Sequence, residues 1–272
     1  MFTKMPLKKL KIACLSYQGI SQSGIEPALQ FMFPDSQVYS IFPQHIRRHD
    51  LKSYDILILP GINDEDSPYP TLLPPSKMGA IQETMEQDGL ILWTFCASSY
   101  YMFEEISYQK RNGEIKKRQG AGLIKGAARH GFNHITRKVL NSSPWQDFIL
   151  AGIHVDGHRD LLRALNINGP SMLPDPSEAS LVHQFMKYKD IDGAAGLTKK
   201  IGKGLLIALG VHPELSPDHP KLPDFFADFE KDRLDILWTI RQKILGHWSH
   251  TNGLDEMQLE SSGLMTAAID NV

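Results

Sequence analysis

The stretch "GLILWTFCASSYYMFEE", Gly89 to Glu105, decides how this sequence is read. It opens with a short apolar run, Leu90 to Phe95, and passes without a linker into a segment with helical character. Cys96 stands at the seam, and it is one of only two cysteines in 272 residues. An apolar run of six residues bounded by glycine suits a strand covered on both faces, as in a parallel sheet. Similar runs precede it: "KLKIACLSY" (9–17), "SQVYSIF" (36–42) and "YDILILPG" (54–61). Between them lie "IEPALQFMF" (25–33) and "PSKMGAIQETMEQDG" (75–89), both with helical spacing. The second carries proline early and glycine at its end, as helix punctuation requires. Strand and helix therefore alternate four times, which predicts an α/β fold with a mainly parallel sheet and helices on both faces.

Beyond Glu105 the pattern loosens. "YQKRNGEIKKRQGAG" reads as a loop or hairpin tip, while "FILAGIHVDGH" (148–158) and "ASLVHQFMKY" (179–188) read as strands. "GAAGLTKKIGKGLLIALGVHPE" reads as a hairpin turning at Gly-Lys-Gly and ending in an apolar strand. Leu222 to Gly246 has apolar residues at helical intervals and is the best helix in the sequence, and the residues after Trp248 read as a loosely held tail. The expectation is one domain over 9–248, with polar termini at 1–8 and 249–272.

A formal charge of -2, with 42% apolar and 22% charged residues, gives no support to a general nucleic-acid or anionic-membrane binder. Two cysteines are too few for a disulfide framework or a zinc ribbon, so a reducing interior fits. No apolar stretch reaches the roughly 20 residues of a membrane span, and the N-terminus lacks the apolar centre of a secretory signal. The expected location is the cytoplasm.

In open parallel sheets chemistry gathers beyond the carboxyl ends of strands, and Cys96 stands at such an end. A nucleophile on a sharp strand-to-helix turn projects into the crevice, and the first helical turn favours thiolate over thiol. A thiolate needs a proton acceptor, and the acceptor needs an orienting group. The last apolar strand ends in "GVHPE", and extended backbone there sends His212 and Glu214 off the same face. Cys14, inside the first strand, reads as core.

The segments "LILPG", "TFCASSYYM", "GLIKGAARHG" and "GKGLLIALGVHPE" together resemble the amino-terminal domain of eukaryotic-type biotin–protein ligases and its stand-alone relatives. That domain is similar to a class I glutamine amidotransferase, so the resemblance implies a flavodoxin-like three-layer sandwich and a Cys–His–Glu triad. It implies Cys96 as nucleophile, His212 as base, Glu214 as orienting group, and an oxyanion hole of backbone N–H groups at Gly61, Ile62 and Ala97. Two departures stand out. Thr94 and Ser98 occupy positions where relatives carry glycine, and Ile62 replaces a second glycine after "PG". No GRGRxG-type loop of a biotin ligase occurs, and no synthetase domain that accepts ammonia.

The expected activity is cysteine-dependent amidase or amidotransferase chemistry on a small-molecule amide, with no cofactor and no metal, and an acceptor domain supplied by a partner protein if transfer occurs. Tyr100, Arg129, His154 and Asp156 are candidate substrate contacts, Arg129 reading as part of a loop at the same mouth and suiting a carboxylate. The acidic loop "NDEDSPYP" favours a cationic or zwitterionic substrate. A silent binding module that keeps the pocket is the alternative, suggested by Thr94 and Ile62. A third reading, a metal-dependent hydrolase, uses His154, Asp156 and His158, although ligands at i, i+2, i+4 of one strand span about 14 Å.

Overall fold

A computed structural model of the chain describes residues 9–17, 25–62, 67–110, 112–132, 148–215 and 229–252. In chain order the elements are β1 (Lys11–Leu15), α1 (Ile25–Met32), β2 (Gln37–Ile41), α2 (Arg48–Leu51), β3 (Ile56–Leu59), α3 (Tyr69–Leu72), α4 (Pro75–Asp88), β4 (Ile91–Phe95) and α5 (Ala97–Met102). Then come β5 (Phe103–Gln109), β6 (Ile115–Gln119), β7 (Ile124–His130), β8 (Phe148–Val155), β9 (Leu162–Ile167), β10 (Pro170–Pro174), β11 (Val182–Tyr188), β12 (Ala194–Ile201), β13 (Gly204–Leu209) and α6 (Glu230–Asn252).

The strands form one sheet whose main path runs β2-β1-β3-β4-β13-β12-β10-β7-β5-β6. Its first five strands are parallel, with Ile56 opposite Ile91 and Leu209 opposite Phe95. Strand periodicity divides their apolar side chains between two cores. Ile12, Cys14, Ile56, Ile58, Ile91, Trp93, Phe95 and Ile207 pack with α1 and α6 on one face. Ala13, Leu15, Leu57, Leu59, Leu92 and Leu206 pack with α3, α4 and α5 on the other. This is the expected three-layer α/β sandwich. Each fully buried Leu, Ile or Phe in these layers contributes about 1.5–3 kcal/mol.

Past β13 the sheet is antiparallel apart from the parallel pair β7–β5: β12 pairs β13 through the hairpin at Gly202-Lys203, and β10 joins β12 to β7. The strands β11, β8 and β9 branch off β12. A buried ion pair, Lys199 Nζ to Glu178 Oε2 at 2.5 Å, ties β12 to the turn after β10, and Lys199 also donates to the Leu123 carbonyl.

Several local expectations need adjustment. The segment read as a loop or hairpin tip takes the second form, and the strands β5 and β6 on either side of it pair antiparallel. The helix predicted from Leu222 is described from Glu230, residues 222–228 lying outside the described set. It continues through Asn252 instead of fraying after Trp248. Trp248 and Ser249 are buried there, and Thr251 and Asn252 hydrogen-bond back to the carbonyls of His247 and Trp248. No helix among the described residues is long and apolar enough to cross a membrane.

Candidate active site

Strand β4 delivers Phe95 to the rim of the sheet, and the chain reverses at once into α5. The reversal falls on Cys96, whose φ is 49° and ψ −107°. Only Cys96 and Asn168 combine a side chain with positive φ among the described residues. Such a conformation costs on the order of 1–3 kcal/mol and persists where neighbours over-determine it. Here they do. The Cys96 N–H donates to Leu209 O (2.8 Å), and the Cys96 carbonyl accepts from Tyr100 N (3.0 Å). Ser98 Oγ accepts from the Phe95 N–H (2.9 Å) and donates to Leu59 O (2.6 Å). Thr94 Oγ1 pairs with Ser99 Oγ at 2.9 Å and lies 3.2 Å from the Ile207 carbonyl. Thr94 and Ser98 therefore brace the elbow, binding it to β3 and β13.

His212 and Glu214 come to this rim from the end of β13. Extended backbone does not bring them together as the sequence suggested. Residues 212–215 form a turn around Pro213, closed by the Leu215 N–H donating to His212 O (3.3 Å). The turn sets His212 Nδ1 2.7 Å from Glu214 Oε1. The second turn clamp is Arg233 of α6, whose Nη1 donates to Pro213 O (3.1 Å). His212 is 8% and Glu214 5% exposed. Burial opposes charge on the ring, but the Glu214 carboxylate with its hydrogen bond, and the neighbouring Cys96, outweigh it. The imidazole is pushed up to about 10. The bond to Glu214 fixes the tautomer with hydrogen on Nδ1, while Nε2 is buried with no hydrogen-bond partner.

Gly61, just past β3, closes the third side. A Cβ built on it would lie 3.2 Å from His212 Cε1 and 3.7 Å from Cys96 Cβ. The imidazole and the cysteine thus flank one point beside the glycine, and a methyl there would make the ring give by a few tenths of an ångström. Ile62 and Ala97 pack their side chains against the core that contains Tyr69 and Tyr101.

Sequence reading missed the segment that faces the thiol. Cys96 Sγ donates to the Ile167 carbonyl at 3.3 Å, and the Tyr100 hydroxyl donates to the Asn168 carbonyl at 3.1 Å. Tyr100 therefore does line this rim. Asn166, buried, anchors the segment through bonds to Gly210 O (2.8 Å), Tyr188 Oη (2.9 Å) and the Gly169 N–H (3.2 Å). A backbone acceptor leaves no mark on a sequence; the Asn-Gly pair at 168–169 was the available signal.

The other candidates lie elsewhere. Arg129 sits within β7, not in a loop, with an exposed side chain opposite Ser107 and Ser171 in register. His154 lies about 17 Å along β8 from the Ile149–Asn166 pair by the usual rise, and Asp156 stands just past the strand's end. They line a separate groove of about 640 Å³ with Asp175, His183 and Lys187. Asp156 pairs with His183 (2.7 Å), and His158 bonds Thr239 (3.1 Å). Among the described residues no group of three His, Cys, Asp or Glu is placed to hold a metal ion. Of the acidic loop, residues 63–66 lie outside the described set.

No protein-family model matches the sequence, and no curated protein does. Solved structures do share its fold. One described as a glutamine amidotransferase superposes with a TM-score of 0.55 at 16% identity, covering 86% of this chain and 98% of its own. The structure of PurLQS from Thermotoga maritima gives a TM-score of 0.51 at 16% identity, with 85% and 100% covered. The fold is that of glutamine amidotransferase-like proteins.

Proposed function

We propose that this chain is a cysteine-dependent amidase or amidotransferase, on the branch of that fold represented by the biotin–protein ligase amino-terminal domain. One observation carries the reading: a cysteine held at positive φ on a strand-to-helix elbow shares its rim with a buried His–Glu pair. In the reaction, the Cys96 proton passes first to His212 Nε2, giving the imidazolium that the raised ring value favours, and Sγ attacks the amide carbon as the thiolate. A C–S bond forms, and the carbonyl oxygen becomes an oxyanion held by backbone N–H groups at Gly61, Ile62 and Ala97. Collapse breaks the C–N bond, the leaving amine taking the proton from Nε2. Water then attacks the thioester, giving a proton to His212 and releasing the acid, and the thiol is restored by that proton. Glu214 holds the ring and stabilises its cation throughout. For transfer, the freed amine goes to an acceptor domain on a partner protein.

The bond from Cys96 Sγ to Ile167 O favours a second reading, a binding module without turnover, because it directs the thiol proton away from Nε2. The two part on trapping. Incubation with a panel of primary amides and activated esters, followed by peptide mass mapping, is expected to find an acyl group on Cys96 that His212→Ala suppresses. A Cys96 that stays unmodified by every acyl donor removes the enzyme and leaves the module.

A further inference from the structure

Two hydroxyls grip the turn that carries Gly61. Ser98 Oγ donates to the Leu59 carbonyl at 2.6 Å, and the Tyr69 phenol, at the start of α3, donates to the Pro60 carbonyl. Tyr69 is fully buried, and its ring stacks on Tyr101 with centroids 6.3 Å apart. Tyr101 is fixed in turn by its own hydroxyl, which donates to Leu73 O at 2.7 Å. Burial raises the Tyr69 phenol well above its ordinary value, the Ser98 hydrogen bond opposing only part of this, so the group remains a donor at any working pH.

The Pro60 carbonyl and the Gly61 N–H belong to one peptide plane. In a trans peptide they point to opposite sides of the chain, and the described residues contain no cis bond. Pinning the oxygen on one side therefore sets the direction of the N–H on the other. The residue so aimed is the glycine that lies against Cys96 and His212. Proline at position 60 has no N–H to offer, so Gly61 carries the first available donor after β3.

We propose that Tyr69 is a positioning residue, which through the Pro60 carbonyl holds the Gly61 N–H in line with the oxyanion formed at Cys96. This rests on the acyl-transfer reading above. A purely architectural tyrosine would support the elbow and the crevice alike. A positioning tyrosine acts only on steps that build negative charge on a carbonyl oxygen.

Two electrophiles separate these roles. p-Nitrophenyl acetate acylates a thiol through a tetrahedral oxyanion, whereas iodoacetamide alkylates it by displacement and makes none. In the full chain, Tyr69→Phe is expected to slow acylation of Cys96 about 10-fold, less than the 10²–10³ of deleting a donor outright. Alkylation of Cys96 should stay within about twofold of the parent. Equal slowing of both reactions overturns the proposal, since it means that Tyr69 only supports the elbow. Acylation of Tyr69→Phe at the parent rate, with parent acylation still abolished by His212→Ala, overturns the proposal and spares the acyl-transfer reading. A parent Cys96 that p-nitrophenyl acetate does not acylate, or acylates regardless of His212, brings down that reading and the proposal with it. If thermal unfolding shows that Tyr69→Phe does not fold, 4-fluorophenylalanine incorporated at position 69, which fills the same space without a donor, must show the same selective loss; its absence is decisive against the idea.

Discussion

Replacing Glu214 with glutamine should change the proton on His212 more than any contact around it. The amide keeps an oxygen where Oε1 accepts the Nδ1 hydrogen at 2.7 Å, so the ring stays in place while the charge disappears. With charge centres about 4 Å apart and an effective dielectric near 20, the carboxylate stabilises the imidazolium by about 4 kcal/mol. That corresponds to about 3 pH units. The imidazole, pushed up to about 10 in the parent, should therefore titrate near 7 in Glu214→Gln. At pH 7.5 the neutral ring would rise from about 0.3% to roughly three quarters of the population. The assay is NMR of Cε1–H signals in histidine-labelled protein, with His212→Gln assigning one resonance among eleven histidines. A midpoint that moves by less than one unit would refute the claim that Glu214 sustains the charge against burial.

The same linkage predicts a stability profile. Because the folded-state value of His212 lies above the unfolded one near 6.5, its contribution is complete below pH 6.5 and fades as pH climbs through about 10; urea midpoints should fall across that window, and His212→Gln should flatten the fall. Burial pushes the Cys14 thiol up to about 12, leaving on the order of 10⁻⁴ to 10⁻⁵ thiolate at pH 7.5. Mass-mapped iodoacetamide labelling should accordingly favour Cys96 by at least about 100-fold, and equal rates would deny any activation at the elbow. Gly61→Ala forces a methyl 3.2 Å from His212 Cε1, so acylation of Cys96 should drop about 10-fold with little change in Tm; an unchanged rate would show that the ring gives way freely. Glu178→Ala strands the buried Lys199 charge and should cost about 3–5 kcal/mol in denaturant unfolding, whereas a loss below 1 kcal/mol would mean that water reaches the ammonium.

The parallel half of the fold was legible because burial on both faces makes a strand uniformly apolar: "ILIL" and "ILWTF" admit few other readings. Beyond it, β8, β11 and the β12–β13 hairpin were read as strands, but the others were not. Strands β7 and β10 carry glycine, proline and charged residues, and pairing with each other, His130 opposite Pro170, holds them in the sheet, while β9 carries Arg163 and Asn166 in a hairpin with β8. Arg129 was taken out of a loop by such pairing on both sides of β7. At the site, Cys96, His212 and Glu214 could be picked out by residue type and spacing. The route by which the last two meet could not, because Pro213 bends the chain where alternation suggested a straight strand. The braces were invisible for another reason: Thr94, Ser98 and Tyr69 act on main-chain groups or on one another, and such pairings have no sequence periodicity.

Gly169 and Gly210 meet back to back, each leaving no space for a Cβ beside the other's strand end. The carbonyl that receives the thiol hydrogen lies two residues before the first, and the imidazole follows two residues after the second. Thiol acceptor and base are in this way welded into one rigid jaw. A side chain at either glycine would therefore change the spacing of the acceptor carbonyl and the imidazole before it touched anything else in the crevice.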